Sequence, residues 1–200
     1  MKKLIVTTFL MFGIIGFAQT YSVPAASPRQ KIEQEFSISK ITVDYGRPGV
    51  KGRKIFGGLV PYNKVWRAGA NSSTKISFGQ AMSIGGKTIP AGTYGLFILP
   101  TDKEWKVIFN KDFQQWGSDA YNENLNVLDI SVPVQKMSDK QEFFEISLDP
   151  LNENTLALNM KWEDVKTSVP MQVDKLETIN KIVEKVKEAK QIEREATNKK

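Results

Sequence analysis

The stretch that decides the fold is residues 74–110, TKISFGQAMSIGGKTIPAGTYGLFILPTDKEWKVIFN. Short apolar or alternating runs are separated here by turns rich in Gly and Pro. Side chains of a strand alternate between two faces, so an apolar residue at every second position predicts a strand with one buried face. Gly85-Gly86 predicts a two-residue hairpin turn, because glycine accepts the positive φ angles that such a turn needs. Residues 93–99 are apolar on both faces, which predicts a central, buried strand.

The same pattern continues on both sides of this stretch. Further strands are predicted at residues 30–36, 41–45, 127–136, 142–148, 155–162 and 166–173. Pro133 predicts that its strand is an edge strand or is broken, because proline cannot donate to a neighbouring strand. Many short strands with Gly/Pro turns are typical of an all-β fold. We therefore expect residues 30–173 to form an antiparallel, jelly-roll-like β-sandwich with a long Gly/Arg-rich loop.

The N-terminus has the features of an export signal. Lys2 and Lys3 precede an apolar run that ends in Gly16-Phe17-Ala18, which predicts a signal peptide over residues 1–18. The run is too short for a permanent membrane anchor, and without any cysteine the chain cannot carry a lipid there. We expect an exported protein, in the periplasm, with extracellular release as the open alternative. Residues 19–29 are expected to form a flexible leader.

The C-terminal residues 174–200 are predicted to form an amphipathic helix with a frayed tail. Apolar residues recur at helical spacing from Leu176 to Ile192, and Asp174 with Glu177 has the spacing of a capping box. One interpretation is a helix packed on the domain and frayed after Glu193, which we favour. The other is a helix that docks a protein partner or a second copy of the chain through residues 174–193.

A glycine-rich loop at residues 46–73 interrupts the strand pattern. Loops this long are uncommon in compact domains and are often functional, and apolar residues such as Ile55 and Phe56 predict an ordered one. The segment from Tyr45 to Thr101 contains no Asp or Glu but eight cations, six of them in the loop. The predicted loop is therefore strongly positive.

This charge predicts an anion-recognising surface. Arginine presents a planar fork of donors suited to carboxylate or phosphate, and glycine-rich backbone can approach an anion closely. Trp66 and Trp116 lie in irregular segments, where an exposed indole could stack on a sugar ring. The alternative is a solvated face, with Arg47 or Arg67 paired to Asp44 or Asp102. The candidate ligand-binding residues are Arg47, Arg53, Lys54, Trp66, Arg67, Asn71 and Trp116.

Composition limits the other classes of function. The chain has neither His nor Cys, so Ser-His-Asp and Cys-His sites and the usual zinc sites cannot be built. The oxygen-rich stretches 119–124 and 149–154 are typical of turns, and we expect no metal and no cofactor. Without Lys2 and Lys3, 26 basic residues face 22 acidic ones, a net charge of +4 that is too mild to indicate nucleic-acid binding. The loop glycines lack the spacing of a phosphate-binding P-loop.

Several segments carry a resemblance to a known family. They are YGRPGVKGRKIFGGLVPY at residues 45–62, VWRAGAN at 65–71, GGKTIPAGTY at 85–94, WKVIFNK at 105–111 and QWG at 115–117. Together they resemble domain of unknown function 2911, a group of small exported bacterial proteins, over about residues 25–173. The resemblance implies a β-sandwich and an exported location, and it assigns no reaction.

Three functions remain open at this point. The leading hypothesis is a non-enzymatic binding module of the cell envelope, which takes an anionic or carbohydrate ligand through loop 46–73. The first alternative is a hydrolase or isomerase that uses carboxylates, for which Asp44 and Asp102 are candidates. Tyr45 or Lys54 would assist them, in a deep pocket with a carboxylate beside a loop arginine. The second alternative is a structural or partner-docking protein that acts through its C-terminal helix.

Overall fold

The computed structural model describes residues 23–198. The predicted signal peptide and residues 19–22 of the predicted leader lie outside the described residues. The described chain forms ten strands, one short 3-10 turn at Glu123–Leu125 and one α-helix. Their bounds are β1 Arg29–Phe36, β2 Ser39–Gly46, β3 Thr74–Phe78, β4 Met82–Ile84, β5 Lys87–Ile89, β6 Gly92–Pro100, β7 Glu104–Asn110, β8 Asn126–Pro133, β9 Gln135–Pro150, β10 Thr155–Val173 and α1 Leu176–Asn198.

The strands form two antiparallel sheets that face each other across one core. The first sheet has the order β1-β2-β3-β6-β7-β8, and the second has the order β5-β4-β10-β9. Within the first sheet the chain meanders from neighbour to neighbour, apart from the excursion of β4 and β5 into the second sheet. Strand β6 lies between β3 and β7 and is buried on both faces along most of its length. The prediction of an all-β, antiparallel sandwich is confirmed.

The predicted turns and edges are found as well. Gly85 and Gly86 have φ angles of 58° and 76° and join β4 to β5. The turn between β1 and β2 holds Ser37 at a φ of 56°, at the expected place. Pro133 ends β8, which forms an edge of the first sheet and so needs no donor from that residue.

Several predicted element boundaries are wrong. The strand predicted at residues 127–136 ends at Pro133, and residues 135–136 belong to β9, which extends to Pro150 and so is longer than the predicted 142–148. The strands predicted at residues 155–162 and 166–173 are one strand, β10, because β9 and then β4 supply partners along its length. The break that the pattern suggested is an irregularity at Glu163, whose φ is 55° and where the register with β9 shifts. The Asp174 carboxylate does not cap the helix, since its Oδ1 accepts a hydrogen bond from Thr88 Oγ1 at 3.1 Å.

Helix α1 differs from the interpretation that we favoured. It continues to Asn198 instead of fraying after Glu193, and none of its residues is buried. Ile179 packs partly against the core, but Val186 and Ile192 are 47% and 66% exposed. The apolar stripe therefore stays largely open beyond the first turns. Among the described residues, no helix is both long enough and apolar enough to cross a membrane.

An aromatic cluster fills the core where the two sheets and the long loop meet. It consists of Phe56, Trp66, Trp105, Phe144 and Trp162, with ring centroids 4.8–6.4 Å apart. Trp105 and Trp162 are each 1% exposed, which confirms the prediction that both are core residues. Because a loop residue, Phe56, is part of this cluster, the loop is held on the sandwich by the core itself.

Candidate functional site

The loop from Arg47 to Ser73 is an ordered part of the domain. Ile55, Phe56 and Val60 are buried, as the prediction of an ordered loop requires. Its first half closes on itself, because the Gly57 N–H donates to the Val60 carbonyl and the Val60 N–H donates to the Ile55 carbonyl, both at 2.9 Å. Buried apolar side chains and internal hydrogen bonds thus fix the shape of this surface.

The second half of the loop runs tightly over the end of β2. Trp66 and Ile98 exchange two backbone hydrogen bonds of 2.8 Å, which attach the loop to β6. At the end of β2, a side chain at Gly46 would collide with the Ala70 carbonyl. A side chain at Gly69, whose φ is 157°, would in turn collide with the Gly46 carbonyl. These two glycines let the backbones approach each other, and this approach sets the position of Arg67 and Asn71.

A cleft of about 280 Å³ lies between this loop and β10. Four of the seven predicted ligand-binding residues line it, and none of its lining residues is Asp or Glu. The lining consists of Ser27, Pro48, Arg53, Leu59, Val60, Trp66, Arg67, Gly69, Ala70, Asn71 and Trp162. The lining thus combines polar side chains, among them Arg53, Arg67 and Asn71, with an apolar part that includes Leu59 and Val60.

Two buried donors of the cleft lining have no acceptor. Arg67 Nε and Trp162 Nε1 are both shielded from solvent and form no hydrogen bond within residues 23–198. Burial lowers the pKa of the Arg67 guanidinium, because desolvation penalises the charged form, and the nearby Asp119 carboxylate acts in the opposite direction. A buried donor without an acceptor is costly, and an acceptor bound in the cleft would remove this cost for both groups.

Arg53 and Asn71 occupy the rim of the same cleft. Arg53 Nη2 donates to the Gly49 carbonyl at 2.6 Å and Nε donates to the Val50 carbonyl at 3.1 Å, so this guanidinium partly serves to hold its own loop. Asn71 is exposed, with a φ of 64°. Its carbonyl accepts from the Gly117 N–H at 3.1 Å, which connects the rim to the segment around Trp116.

Trp66 is placed differently from the exposed platform that we expected. The side chain is 7% exposed, and its Nε1 donates to the Gly69 carbonyl at 2.9 Å. Its ring stacks on Trp162 with centroids 5.6 Å apart and an interplanar angle of 22°. Trp66 therefore forms part of the cleft wall as a core residue, with its polar atom already bonded.

The other three predicted residues do not line the cleft. Arg47 Nε donates to the Phe144 carbonyl at 3.2 Å and its guanidinium lies over the Phe143 ring at 5.9 Å, so it joins the loop to β9. Lys54 is exposed beside the turn. Trp116 is 71% exposed and pairs through its backbone with Ser72, next to the cleft.

The ion pairs that the alternative interpretation required do not form. Asp44 pairs with Arg29, whose Nε lies 2.6 Å from its Oδ1. No cation of loop 47–73 has a carboxylate of the described chain within 4.0 Å. Pairing with Asp44 or Asp102 therefore does not account for Arg47 or Arg67.

Other depressions on the described surface are more open than the cleft. One of about 420 Å³ on β9 and β10 is lined by four lysines and Asp139, and two of these lysines pair with carboxylates, Lys136 with Asp164 and Lys161 with Glu145. A larger depression of about 850 Å³ lies between the β1–β2 turn and α1, but it is an open surface lined by partly exposed side chains such as Ile38 and Val186. In residues 23–198, no three His, Cys, Asp or Glu side chains come together as a metal cluster. The Asn122 and Asn152 side chains accept from backbone N–H groups in their own turns.

A family model described as a protein of unknown function, DUF2911, matches residues 27–171. The chain belongs to the DUF2911 family. The family match begins just before β1 and ends within β10, so it includes both sheets and the whole cleft and leaves out helix α1. No curated protein and no solved structure is significantly similar to the chain. Membership confirms the resemblance, and the description of the family assigns no function.

Sequence reasoning missed the β10 side of the DUF2911 cleft. Trp162 was expected in the core, which is correct, but its unbonded Nε1 in the cleft lining was not foreseen. Nothing in a strand pattern indicates whether a buried indole finds an acceptor. The apolar lining from Pro48, Leu59 and Val60 was also missed, although their place in the glycine-rich loop was a usable signal.

Proposed function

We propose that this DUF2911 protein is an exported, non-enzymatic binding module that takes a small anionic ligand in the cleft between loop 47–73 and β10. The observation that carries the proposal is the pair of buried donors, Arg67 Nε and Trp162 Nε1, that have no acceptor. An anionic oxygen supplies what both groups lack, and a charge-assisted hydrogen bond to a guanidinium is among the stronger ones that proteins form.

The charge around the cleft supports an anion over a cation. Its lining contains Arg53 and Arg67 and no acidic residue. Asp119 lies close enough to affect the pKa of Arg67, but it does not come within ion-pair distance and is exposed. Both unbonded donors are shielded, so a ligand would reach them by displacing a side chain of the lining, for which the 47% exposed Leu59 is suited.

The same lining argues against carboxylate catalysis at this place. A hydrolase or isomerase without His or Cys would need acidic groups that converge on the substrate. The candidate Asp44 is engaged with Arg29, and neither Asp44 nor Asp102 lines the cleft. Tyr45 is also committed, since its hydroxyl accepts from the Ile146 N–H at 3.0 Å and donates to Gln30 Oε1 at 2.9 Å. Binding therefore fits these residues better than catalysis.

The test is ligand binding by residues 19–200, measured by thermal shift and titration calorimetry at low salt. Inorganic phosphate, galacturonate and neutral galactose are the probes. A ligand at about 100 times its Kd adds about 2.7 kcal/mol to the free energy of unfolding. In a domain of this size that raises Tm by about 5–10 °C. We expect this for an anion, with a smaller shift in high salt, and not for galactose.

Two arginine variants separate the cleft from general charge. Arg67→Met should remove the anion-dependent shift. Arg194→Met is the matched control, because it makes the same chemical change on the exposed surface of helix α1 and should leave the shift intact. An equal anion shift in Arg67→Met, or no shift with any anion in the native protein, contradicts the proposed site.

A second candidate function rests on the exposed stripe of helix α1. Ile182, Val186 and Ile192 are 41%, 47% and 66% exposed, which is unusual for an apolar face without a partner. We propose docking of a protein partner or a second copy on this stripe as the alternative function. Light scattering of the native chain and of Val186→Lys tests self-association. A monomer at every concentration in both would exclude the second copy.

A further inference from the structure

We infer that the ligand is an acidic oligosaccharide, with one acidic sugar in the cleft and the neighbouring ring stacked on Trp116; this inference rests on the proposed function. Its starting point is the size of the cleft. About 280 Å³ lies just below the range of about 300–1,000 Å³ typical of pockets for drug-sized ligands. The cleft therefore suits one small unit, and a longer ligand must continue outside it.

The segment around Trp116 is attached to the rim of the cleft. Ser72 and Trp116 form an antiparallel bridge, and the Ser73 N–H donates to the Gln115 carbonyl at 3.0 Å. On the other side of the bridge, Gly117 donates to Asn71, which lines the cleft. Residues opposite each other in an antiparallel pair have Cα atoms about 4.5–5.5 Å apart. Trp116 is thus paired with Ser72, which directly follows the lining residue Asn71.

The exposure of Trp116 is exceptional among the four tryptophans. Trp66, Trp105 and Trp162 are 7%, 1% and 1% exposed, whereas Trp116 is 71% exposed. Keeping such a large apolar surface in water forgoes the gain from its burial, and indole rings favour sites where an apolar face meets polar groups. A sugar ring offers this combination, since its C–H face covers the indole while its hydroxyls remain in water.

The cleft and Trp116 together favour an acidic oligosaccharide more strongly than either part does alone. Arg67 with Trp162 Nε1 accounts for the anionic group, and Pro48, Leu59 and Val60 provide an apolar wall for a ring. Trp116 accounts for a second ring next to Asn71. A free phosphate would use only the donors and would leave both the apolar wall and Trp116 without a role.

The experiment compares galacturonate with its α-1,4-linked trimer and the methyl-esterified trimer, by titration calorimetry. Covering the Trp116 face should give the trimer about five- to tenfold higher affinity than the monomer. Trp116→Ala should lower the affinity for the trimer to that for galacturonate. Leu151→Ala, which alters another exposed apolar residue in the β9–β10 turn, should retain the gain. The neutral methyl ester should bind at least tenfold more weakly than the acidic trimer.

Tryptophan fluorescence provides a second readout at the same residue. Acrylamide quenches an exposed indole, so quenching of the free protein reports mainly on Trp116, and the trimer should reduce it. Equal, Arg67-dependent binding of monomer and trimer would overturn the saccharide inference and leave the proposed anion site standing. Equal binding of the methyl ester would also overturn it. If no acidic compound binds, both the inference and the proposed function fail.

Discussion

Arg67→Met is expected to stabilise the ligand-free protein while it removes anion binding. The Arg67 guanidinium is partly buried, its Nε has no acceptor, and burial lowers its pKa. An unsatisfied buried donor on a charged group costs about 1–3 kcal/mol, and methionine fills a similar volume without any donor. Partial exposure of the side chain and the nearby Asp119 reduce the gain. We therefore expect the free energy of unfolding to rise by about 1 kcal/mol.

Arg47→Met is the matched control, for which we expect the opposite change in the free energy of unfolding. Arg47 lies in the same loop, but its Nε donates to the Phe144 carbonyl at 3.2 Å. Losing this bond to a charged donor should lower the free energy of unfolding by about 1–2 kcal/mol. The two substitutions remove the same charge from the same loop, so a difference in sign must come from the hydrogen-bonding environment.

The assay is urea unfolding of both variants, followed by circular dichroism. With a slope of about 2 kcal/mol per M, Arg67→Met should raise the midpoint by about 0.5 M, and Arg47→Met should lower it by about 0.5–1 M. If Arg67→Met instead lowers the midpoint by as much as Arg47→Met, then Arg67 holds the fold together. The interpretation of its Nε as a ligand donor would then be refuted.

Four further predictions concern Tyr45, helix α1 and Asp119. Tyr45→Phe should lower the free energy of unfolding by about 1–3 kcal/mol, because the Ile146 N–H loses its hydroxyl acceptor, as urea unfolding would show. Burial raises the pKa of Tyr45 above its ordinary value near 10, so stability should be lost as pH rises from about 10 toward the folded-state pKa, and less steeply in Tyr45→Phe. A chain that ends at Asn180 should melt within about 3 °C of the full chain, since no residue of helix α1 is buried; a larger loss in calorimetry would show that the helix supports the sheets. Asp119→Asn should tighten galacturonate binding by about two- to fivefold at low salt, because it removes a carboxylate near Arg67 that repels the anionic ligand, and unchanged calorimetric affinity would contradict this.

The local features of the fold were largely predictable from the sequence. Strand alternation, the Gly85-Gly86 turn and the edge position of Pro133 depend on residues close together in the chain, and all are found. Prediction failed where the structure of a segment depends on the segments that pack or pair with it. Strand β10 is continuous because β9 and β4 both pair with it. Helix α1 has no buried residue, and Ile179 packs only partly against the core. An amphipathic pattern records a preference for burial and not the presence of a surface to meet it.

The candidate site shows the same division. The sequence by itself determined a basic, glycine-rich loop without acidic residues, since composition depends on no fold. Only the tertiary structure decided that Arg47 is bonded to the main chain of β9 while Arg67 Nε lacks an acceptor. It also placed Arg67 of the loop and Trp162 of the distant strand β10 in the lining of the same cleft. Hydrogen-bond satisfaction depends on atomic distances between segments far apart in the chain, and no local residue pattern encodes those distances.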